Sequence, residues 1–168
     1  MTLRFSGAEH TPVYTRSSAD EVGRVLRYVV DARTQRVAAI HVAGRRRKAL
    51  LVDWTHVVGF GPDAVVIDDA DHLRHSRSGY EEQVAAGRLD LRGRRVLTTA
   101  GFDVGPVTDI EFDESSGAIE RIETSRARVR GGGLRSIGPY AVVVRHSDVD
   151  LPDDVVPPSP PPASPPPV

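Results

Sequence analysis

The chain contains an internal repeat, and this repeat constrains the fold more than any other feature. The segment Glu21 to Val25, EVGRV, returns 82 residues later as Asp103 to Val107, DVGPV. A later segment, residues 61–67, returns as residues 138–144 at a spacing of 77, so the second copy is five residues shorter between the two blocks. Each copy of a repeat is one structural unit, and the residues that both copies share form its framework. Here the shared residues are glycines, a turn aspartate and alternating aliphatic residues, which indicate a scaffold rather than a catalytic centre.

The size of the copies makes each of them a marginal domain. The repeat divides the 168 residues into two units of roughly 60 to 75 residues, and a unit of that size buries only about 60% of its unfolded surface. We therefore expect the two copies to pack against each other or to oligomerise. The formal net charge of -1 predicts no general attraction to nucleic acid or membrane.

Composition and the termini exclude several classes of site. The chain has no cysteine, which excludes disulfides, thiolate metal sites and cysteine nucleophiles. The first residues lack the apolar core of a signal peptide, and no apolar run reaches the length of a transmembrane segment. A cytoplasmic location is the resulting expectation.

Hydrophobic alternation between turn residues predicts short strands in both copies. The predicted strands of the first copy are 13–15, 21–31, 36–43, 48–54 and 64–67. Those of the second copy are 94–98, 104–112, 118–124 and 141–144. One short helix is predicted at 80–86, with Gly87 as its C-terminal cap, and residues 1–11 are predicted to be a polar lead-in. Such strands are typical of a small antiparallel barrel or sandwich.

The C-terminal segment has a different composition. Residues 152–168 hold nine of the 13 prolines, which cannot donate ladder hydrogen bonds, so the segment is predicted to be disordered or polyproline II. It is either a proline-rich ligand for an aromatic groove or a solvated spacer, and composition favours the spacer.

The two copies resemble the PRC-barrel domain family. The resemblance rests on a short strand, an acidic residue followed by Val-Gly-x-Val, a strand that ends in Asp, a turn, and a strand with a Gly-x-x-Ala-Val-Val-like block. Residues 95–110 are the closer match and residues 21–42 the looser one. The resemblance implies a mainly β chain of two small PRC-like β-barrels in tandem, with a short helical linker and a disordered proline-rich tail. The expected boundaries are 12–69 for the first barrel, 70–90 for the linker, 91–147 for the second barrel and 148–168 for the tail.

The same resemblance implies a non-enzymatic protein-interaction or assembly module. The family has no shared catalytic residues and no cofactor, so we expect neither in this chain, and no metal. The implied partner is a protein whose identity the sequence does not give, and a homo-oligomer is compatible with the small units. A hydrolase is disfavoured because the sequence shows no spacing of a nucleophile and a base.

Two basic clusters follow corresponding strands of the two copies and are the predicted partner-binding residues. They are Arg45, Arg46, Arg47 and Lys48 in the first copy, and Arg126, Arg128 and Arg130 in the second. One interpretation is a duplicated cationic surface for an acidic protein, a nucleic-acid backbone or anionic headgroups. The simpler one, which we favour, is a solvated strand edge whose charges prevent edge-to-edge pairing. Binding of nucleic acid is the alternative function, but the few aromatic residues are not interleaved with the arginines as a stacking platform requires.

A cluster of oxygen and imidazole ligands follows the first copy, at Asp68, Asp69, Asp71, His72 and His75. A metal site needs ligands that converge, so the sequence favours a solvated linker here. The remaining histidines show no ligand spacing: His10, His41, His56 and His146.

Two other features receive structural interpretations. Asp31 and Asp113 occupy equivalent positions before a hairpin turn, where an aspartate usually caps its own turn rather than serving as a general acid or base. Residues 131–133, three glycines without a strand-to-helix context, are predicted to be a flexible loop rather than a phosphate cradle.

Overall fold

Each copy of the repeat folds into one β-sheet, and the two sheets have the same order of strands. The computed structural model describes residues 1–44 and 49–152. The chain begins with strand β1 (Thr2–Arg4) and the short helix α1 (Phe5–Ala8). The first copy then supplies β2 (Pro12–Thr15), β3 (Glu21–Asp31), β4 (Arg36–Ala43), β5 (Ala49–Asp53), β6 (Val57–Phe60) and β7 (Val65–Ile67). These six strands are ordered β5-β4-β3-β2-β7-β6 in their sheet.

The second copy repeats this arrangement after the linker helix α2 (Gly79–Ala85). It supplies β8 (Arg95–Thr98), β9 (Asp103–Asp113), β10 (Ile119–Thr124), β11 (Arg128–Arg130), β12 (Leu134–Ile137) and β13 (Val142–Val144), followed by β14 (Val149–Asp150). The order β11-β10-β9-β8-β13-β12 reproduces that of the first sheet, with β14 added beside β11. The pairs β2–β7 and β8–β13 are parallel, and the other neighbouring pairs are antiparallel. Across the described residues each sheet is an open path of ladder hydrogen bonds.

The mainly β, two-unit fold predicted from the sequence is confirmed. Strands β3 and β4 have the predicted bounds, and the predicted helix is α2. Strands β6, β11, β12 and β14, of two to four residues each, were not predicted. None of the helices within residues 1–44 and 49–152 has the length and apolarity that a membrane crossing requires. Of the tail predicted at residues 148–168, residues 149–150 instead form β14 and belong to the second sheet, and residues 153–168 lie outside the described residues.

The prediction of a polar lead-in at residues 1–11 is wrong. Strand β1 pairs with β9 of the second copy, where Leu3 lies opposite Phe112. Phe5 in α1 is only 4% exposed, and its ring stacks on Tyr28 with centroids 3.9 Å apart. The segment is mostly polar, so the sequence did not indicate that two of its apolar side chains, Phe5 and Ala8, are buried.

The two copies meet through reciprocal contacts of their hairpin turns. The Val37 amide donates to the Gly117 carbonyl at 2.8 Å, and the Ile119 amide donates to the Gln35 carbonyl at 2.9 Å. Val37 and Ile119 are equivalent residues at the repeat spacing of 82, and so are Gln35 and Gly117. The two hydrogen bonds are therefore the same contact made once in each direction. Gln35 and Gly117 also share a positive φ, of 56° and 72°. This arrangement is an isologous interface, as in a two-fold homodimer, built within one chain.

The copies also exchange core side chains. Phe112 of the second copy is fully buried, and its ring lies 5.5 to 6.0 Å from the rings of four aromatic residues. These four precede the second copy in the chain: Phe5, Tyr28, Trp54 and Phe60. Val30, the repeat equivalent of Phe112, borders the same small void as Leu91, Ile122 and Leu134 of the second copy. The copies therefore share one hydrophobic core, which confirms that they pack against each other.

The linker helix is fixed to the first sheet at both its ends and its apolar face. Ser78 caps it by accepting a hydrogen bond from the Glu81 amide, and Val84 packs in a second apolar cluster with Val29, Ala39 and Leu51. Helices of this length are unstable alone, so packing of this face stabilises it.

An ion-pair network holds the start of α2 against β5. Arg74 donates to Asp53 at 2.5 Å and to Glu81 at 2.7 Å. These hydrogen bonds hold the pKa of the Asp53 and Glu81 carboxyls below their ordinary values and raise the pKa of the guanidinium. The linker is therefore attached to the first copy by charge as well as by apolar contact.

Buried His41 on β4 predicts a loss of stability in mildly acidic solution. Its side chain is 2% exposed, and neither ring nitrogen has a hydrogen-bond partner among the described residues. Burial lowers its pKa below the usual 6.5, and the nearby positive charge of Arg27 lowers it further. The unfolded chain thus binds a proton before the folded one, so stability present above pH 6.5 is lost as the pH falls through the folded pKa.

This loss can be isolated by a substitution. Urea titrations at several pH values below 6.5 should show the free energy of unfolding of the natural chain falling by up to about 1.4 kcal/mol per pH unit from this group. The variant His41→Leu should have a shallower slope over the same interval. Identical slopes would show that His41 does not govern this loss.

Candidate functional site

The predicted arginines of the second copy lie at one end of its sheet. Arg128 and Arg130 are exposed on β11 on either side of the fully buried Val129, so they share the outer face of the sheet, as their alternation predicted. Arg126 is exposed in the bend before β11. Arg130 pairs with Asp150 of β14 at 3.3 Å. The basic cluster of the first copy, Arg45 to Lys48, lies outside the described residues, so its place beside these arginines stays a prediction.

Strand β11 is not the free edge that the simpler interpretation required. It pairs with β10 on one side and with β14 on the other, where Val129 lies opposite Val149. The 3₁₀ helix at His146–Asp148 turns the chain back so that β14 covers the edge. The charges of Arg128 and Arg130 are therefore not needed to prevent edge-to-edge pairing of β11.

Acidic residues alternate with arginines on the neighbouring outer face. Arg4 of β1 pairs with Glu111 at 2.7 Å and with Glu123 at 3.3 Å, and Arg121 pairs with Glu111 at 3.3 Å. A surface of mixed sign attracts a long polyanion less than a continuous positive stripe does.

An open groove lies between the bend and β14. It has a volume of about 640 Å³ and is lined by Thr108, Arg126, Ala127, Arg128 and Leu151, among others. Within the described part of the chain, neither of its two arginines forms an ion pair, whereas Arg130 does. Among the described residues, their guanidinium groups are therefore not paired with a carboxylate.

The two turn aspartates cap their own turns, as predicted. Asp31 accepts a hydrogen bond from the Arg33 amide at 2.8 Å, and Asp113 accepts one from the Ser116 amide at 2.8 Å. The hydroxyls of Ser115 and Ser116 also hold the pKa of the Asp113 carboxyl far below its usual range. Both carboxylates accept hydrogen bonds from their own hairpin turns, and they do not pair with each other as a general acid and base.

The prediction of a flexible loop at the three glycines is wrong. Gly131–Gly133 forms a 3₁₀ helix in which Gly131 and Gly133 are buried. A Cβ at Gly131 would overlap the carbonyl oxygen of Ile119. The side-chain amide of Gln35 from the first copy donates to the carbonyls of Gly132 and Leu134, at 2.7 and 3.1 Å. The glycines allow close packing here.

The structure brings His56 beside two of the five predicted ligand residues, Asp68 and His72, and leaves Asp69, Asp71 and His75 outside this group. His56 Nδ1 lies 3.2 Å from Asp68 Oδ2, and His72 Nδ1 lies 3.6 Å from the same oxygen. Sequence analysis missed His56 because β6 was not predicted. In the β6–β7 hairpin Val57 pairs with Ile67, which places His56 across from Asp68. These three side chains are the group of possible metal ligands in the described residues.

The comparisons agree with the division into two copies. A model of the PRC-barrel domain family matches residues 4–73 and again residues 88–156. A comparison with curated proteins found no match. The two matched segments contain the two sheets and together cover most of the chain, so the chain belongs to the PRC-barrel domain family, with two copies of the domain in tandem.

Proposed function

We propose that the chain is a non-enzymatic protein-interaction or assembly module, and that the groove lined by Arg126 and Arg128 contributes to partner binding. PRC-barrel domains are generally protein-interaction modules. The observation that carries the proposal is the pair of exposed arginines without ion pairs in the described chain, beside an open groove at the end of a rigid sheet.

The groove suits an extended acidic segment of a partner protein. Guanidinium groups bind carboxylates in a bidentate geometry, and Thr108 and the exposed Leu151 offer polar and apolar contacts to a polypeptide. Glu123 and Asp150 also border the groove, which favours a partner with individual carboxylates over a uniformly anionic backbone. Homo-oligomerisation and the cytoplasmic location stay predictions.

A charge-matched pair of variants tests the role of the groove. The full chain is immobilised and exposed to a lysate of the cells that produce it, and the retained proteins are identified. The variant Arg126→Gln/Arg128→Gln should lose partners that the natural chain retains, because it removes both carboxylate donors. The control Arg16→Gln/Arg88→Gln makes the same change of charge at exposed arginines outside the groove and should retain them. An unchanged partner set in the groove variant would remove the groove from the proposal.

The nucleic-acid alternative requires a separate measurement. Backbone binding falls steeply with salt, because it releases counterions. Mobility shifts of RNA and DNA at low salt should show no retardation by the natural chain if a protein is the partner. Retardation that the groove variant abolishes would favour the alternative function instead.

A further inference from the structure

The ligand cluster formed by His56, Asp68 and His72 lies outside the proposed interaction groove. His56 ends a 3₁₀ helix at Trp54–His56, Asp68 follows β7, and His72 ends a second 3₁₀ helix at Ala70–His72. The Asp68 amide donates to the His56 carbonyl at 3.0 Å, which fixes the two segments beside each other. Asp69 accepts a hydrogen bond from the Asp71 amide at 2.9 Å and shapes the turn that brings His72 back over Asp68. The backbone therefore positions all three side chains.

The separations of the donor atoms fit a small tetrahedral cation. Metal–ligand bonds of 2.0 to 2.1 Å at tetrahedral angles place neighbouring ligand atoms about 3.3 Å apart. The two imidazole nitrogens lie 3.2 and 3.6 Å from Asp68 Oδ2, and all three donor atoms lie within 4.8 Å of one another. The imidazole rings are stacked with centroids 3.7 Å apart and an interplanar angle of 11°. Because an imidazole binds a metal in the plane of its ring, binding of one ion by both Nδ1 atoms requires one ring to turn about its Cβ–Cγ bond.

Hydrogen bonding within the cluster is incomplete. The 3.6 Å separation is too long for a hydrogen bond from His72 to Asp68. His72 Nδ1 and Asp68 Oδ1 are both buried atoms without a hydrogen-bond partner in the described chain. Buried polar atoms are nearly always satisfied by protein, water or an ion, and a cation among these donors would satisfy the imidazole nitrogen directly.

We propose that His56, Asp68 and His72 form a binding site for a divalent transition-metal ion, with zinc as the first choice. Two imidazoles and one carboxylate match the ligand preference of zinc rather than that of magnesium or calcium, which favour oxygen ligands. The three side chains are 29 to 39% exposed, so a fourth position is open to water or to a donor from another molecule. A bound ion joins the β6–β7 hairpin to the start of the linker.

The second copy cannot form the same site. At the 77-residue spacing the positions of His56, Asp68 and His72 are occupied by Gly133, Arg145 and Val149. A guanidinium thus replaces the carboxylate, and no imidazole remains. The proposed site is a specialisation of the first copy and not a property of the shared scaffold.

Titration of the full chain with zinc chloride tests the site. Calorimetry should show one zinc ion per chain, and cobalt should give the absorption bands of a four-coordinate ion at the same stoichiometry. His56→Ala and His72→Ala should each weaken zinc binding at least tenfold. His75→Ala is the matched control, because His75 is an exposed histidine of the same segment outside the cluster, and it should leave the affinity unchanged. Absence of binding by the natural chain, or equal weakening by the control, would overturn the proposal.

A measurement on the natural chain covers the case in which a variant fails to fold. Nitrogen-15 spectra of the six histidine imidazoles should show zinc-induced shifts of Nδ1 in two rings, assigned to His56 and His72. Shifts confined to other histidines would contradict the site.

Discussion

Replacing Phe112 by alanine should lower the free energy of unfolding by about 3–5 kcal/mol, the range for a buried phenylalanine. The side chain is fully buried and packs against aromatic rings that precede the second copy in the chain. Its removal leaves a cavity between the copies, and the surrounding strands, which are fixed by their ladders, cannot close it. Both copies should therefore lose stability together, although the substitution lies in only one of them.

The single tryptophan makes this coupling measurable. Trp54 belongs to the first copy, and its ring lies 6.0 Å from that of Phe112. Urea unfolding followed by Trp54 fluorescence and by circular dichroism should give one shared midpoint in the natural chain, and the same lowered midpoint by both probes in Phe112→Ala. Phe102→Ala is the matched control, since Phe102 is 40% exposed, and it should cost less than about 1 kcal/mol. Separate transitions for the two probes in the natural chain would contradict a shared core.

The exchange of Phe112 and Val30 explains why two marginal units form one stable chain. Each copy alone would leave an apolar end of its sheet exposed, and a small unit has little other core to offset that exposure. The reciprocal hydrogen bonds of the hairpin turns fix the relative position of the copies, while the exchanged side chains supply the buried apolar area. The groove and the histidine cluster proposed above thus lie on two copies that share one core.

Local patterns were sufficient to predict the repeated scaffold. Alternating aliphatics between turn residues gave β3 and β4 their bounds, because the period of two follows from the pleat of a strand. The capping role of Asp31 and Asp113 was also predictable from local sequence, because each carboxylate accepts its hydrogen bond from an amide within four residues.

Features that depend on distant contacts could not be predicted in the same way. Nothing in the sequence near Phe112 shows that its ring packs against the other copy. The alternation of a strand indicates which side chains point inward, but it does not indicate which residues they contact. The same applies to His56, which reaches Asp68 only across the β6–β7 hairpin, whose first strand was not predicted. That Arg126 and Arg128 form no ion pair within the described residues could not be predicted without knowing where the acidic side chains lie. These misses concern partners distant along the chain, whereas the bounds of β3 and β4 and the caps of the turns depend on neighbouring residues.

Replacing Gly131 by alanine should be the most damaging of the glycine substitutions in the 3₁₀ helix Gly131–Gly133. The added Cβ would overlap the Ile119 carbonyl oxygen, which is backbone of β10 and cannot move aside as a flexible side chain could. The expected loss is about 3 kcal/mol, at the upper end of the usual cost of overpacking. The three glycines, which the sequence predicted to be a flexible loop, thus allow close contact between the 3₁₀ helix and strand β10.

The adjacent glycine provides a control within the same turn. A Cβ at Gly132 meets nothing within 4 Å, so Gly132→Ala should change the free energy of unfolding by less than about 0.5 kcal/mol. Both variants make the same chemical change in the same 3₁₀ helix, and so the same effect on the unfolded chain cancels between them. Equal stabilities of the two variants, measured by urea unfolding, would show that the helix is free to move away from β10, as a flexible loop would. A large difference requires that the close packing against Ile119 persists in solution, because only the position facing that carbonyl is then intolerant of a side chain.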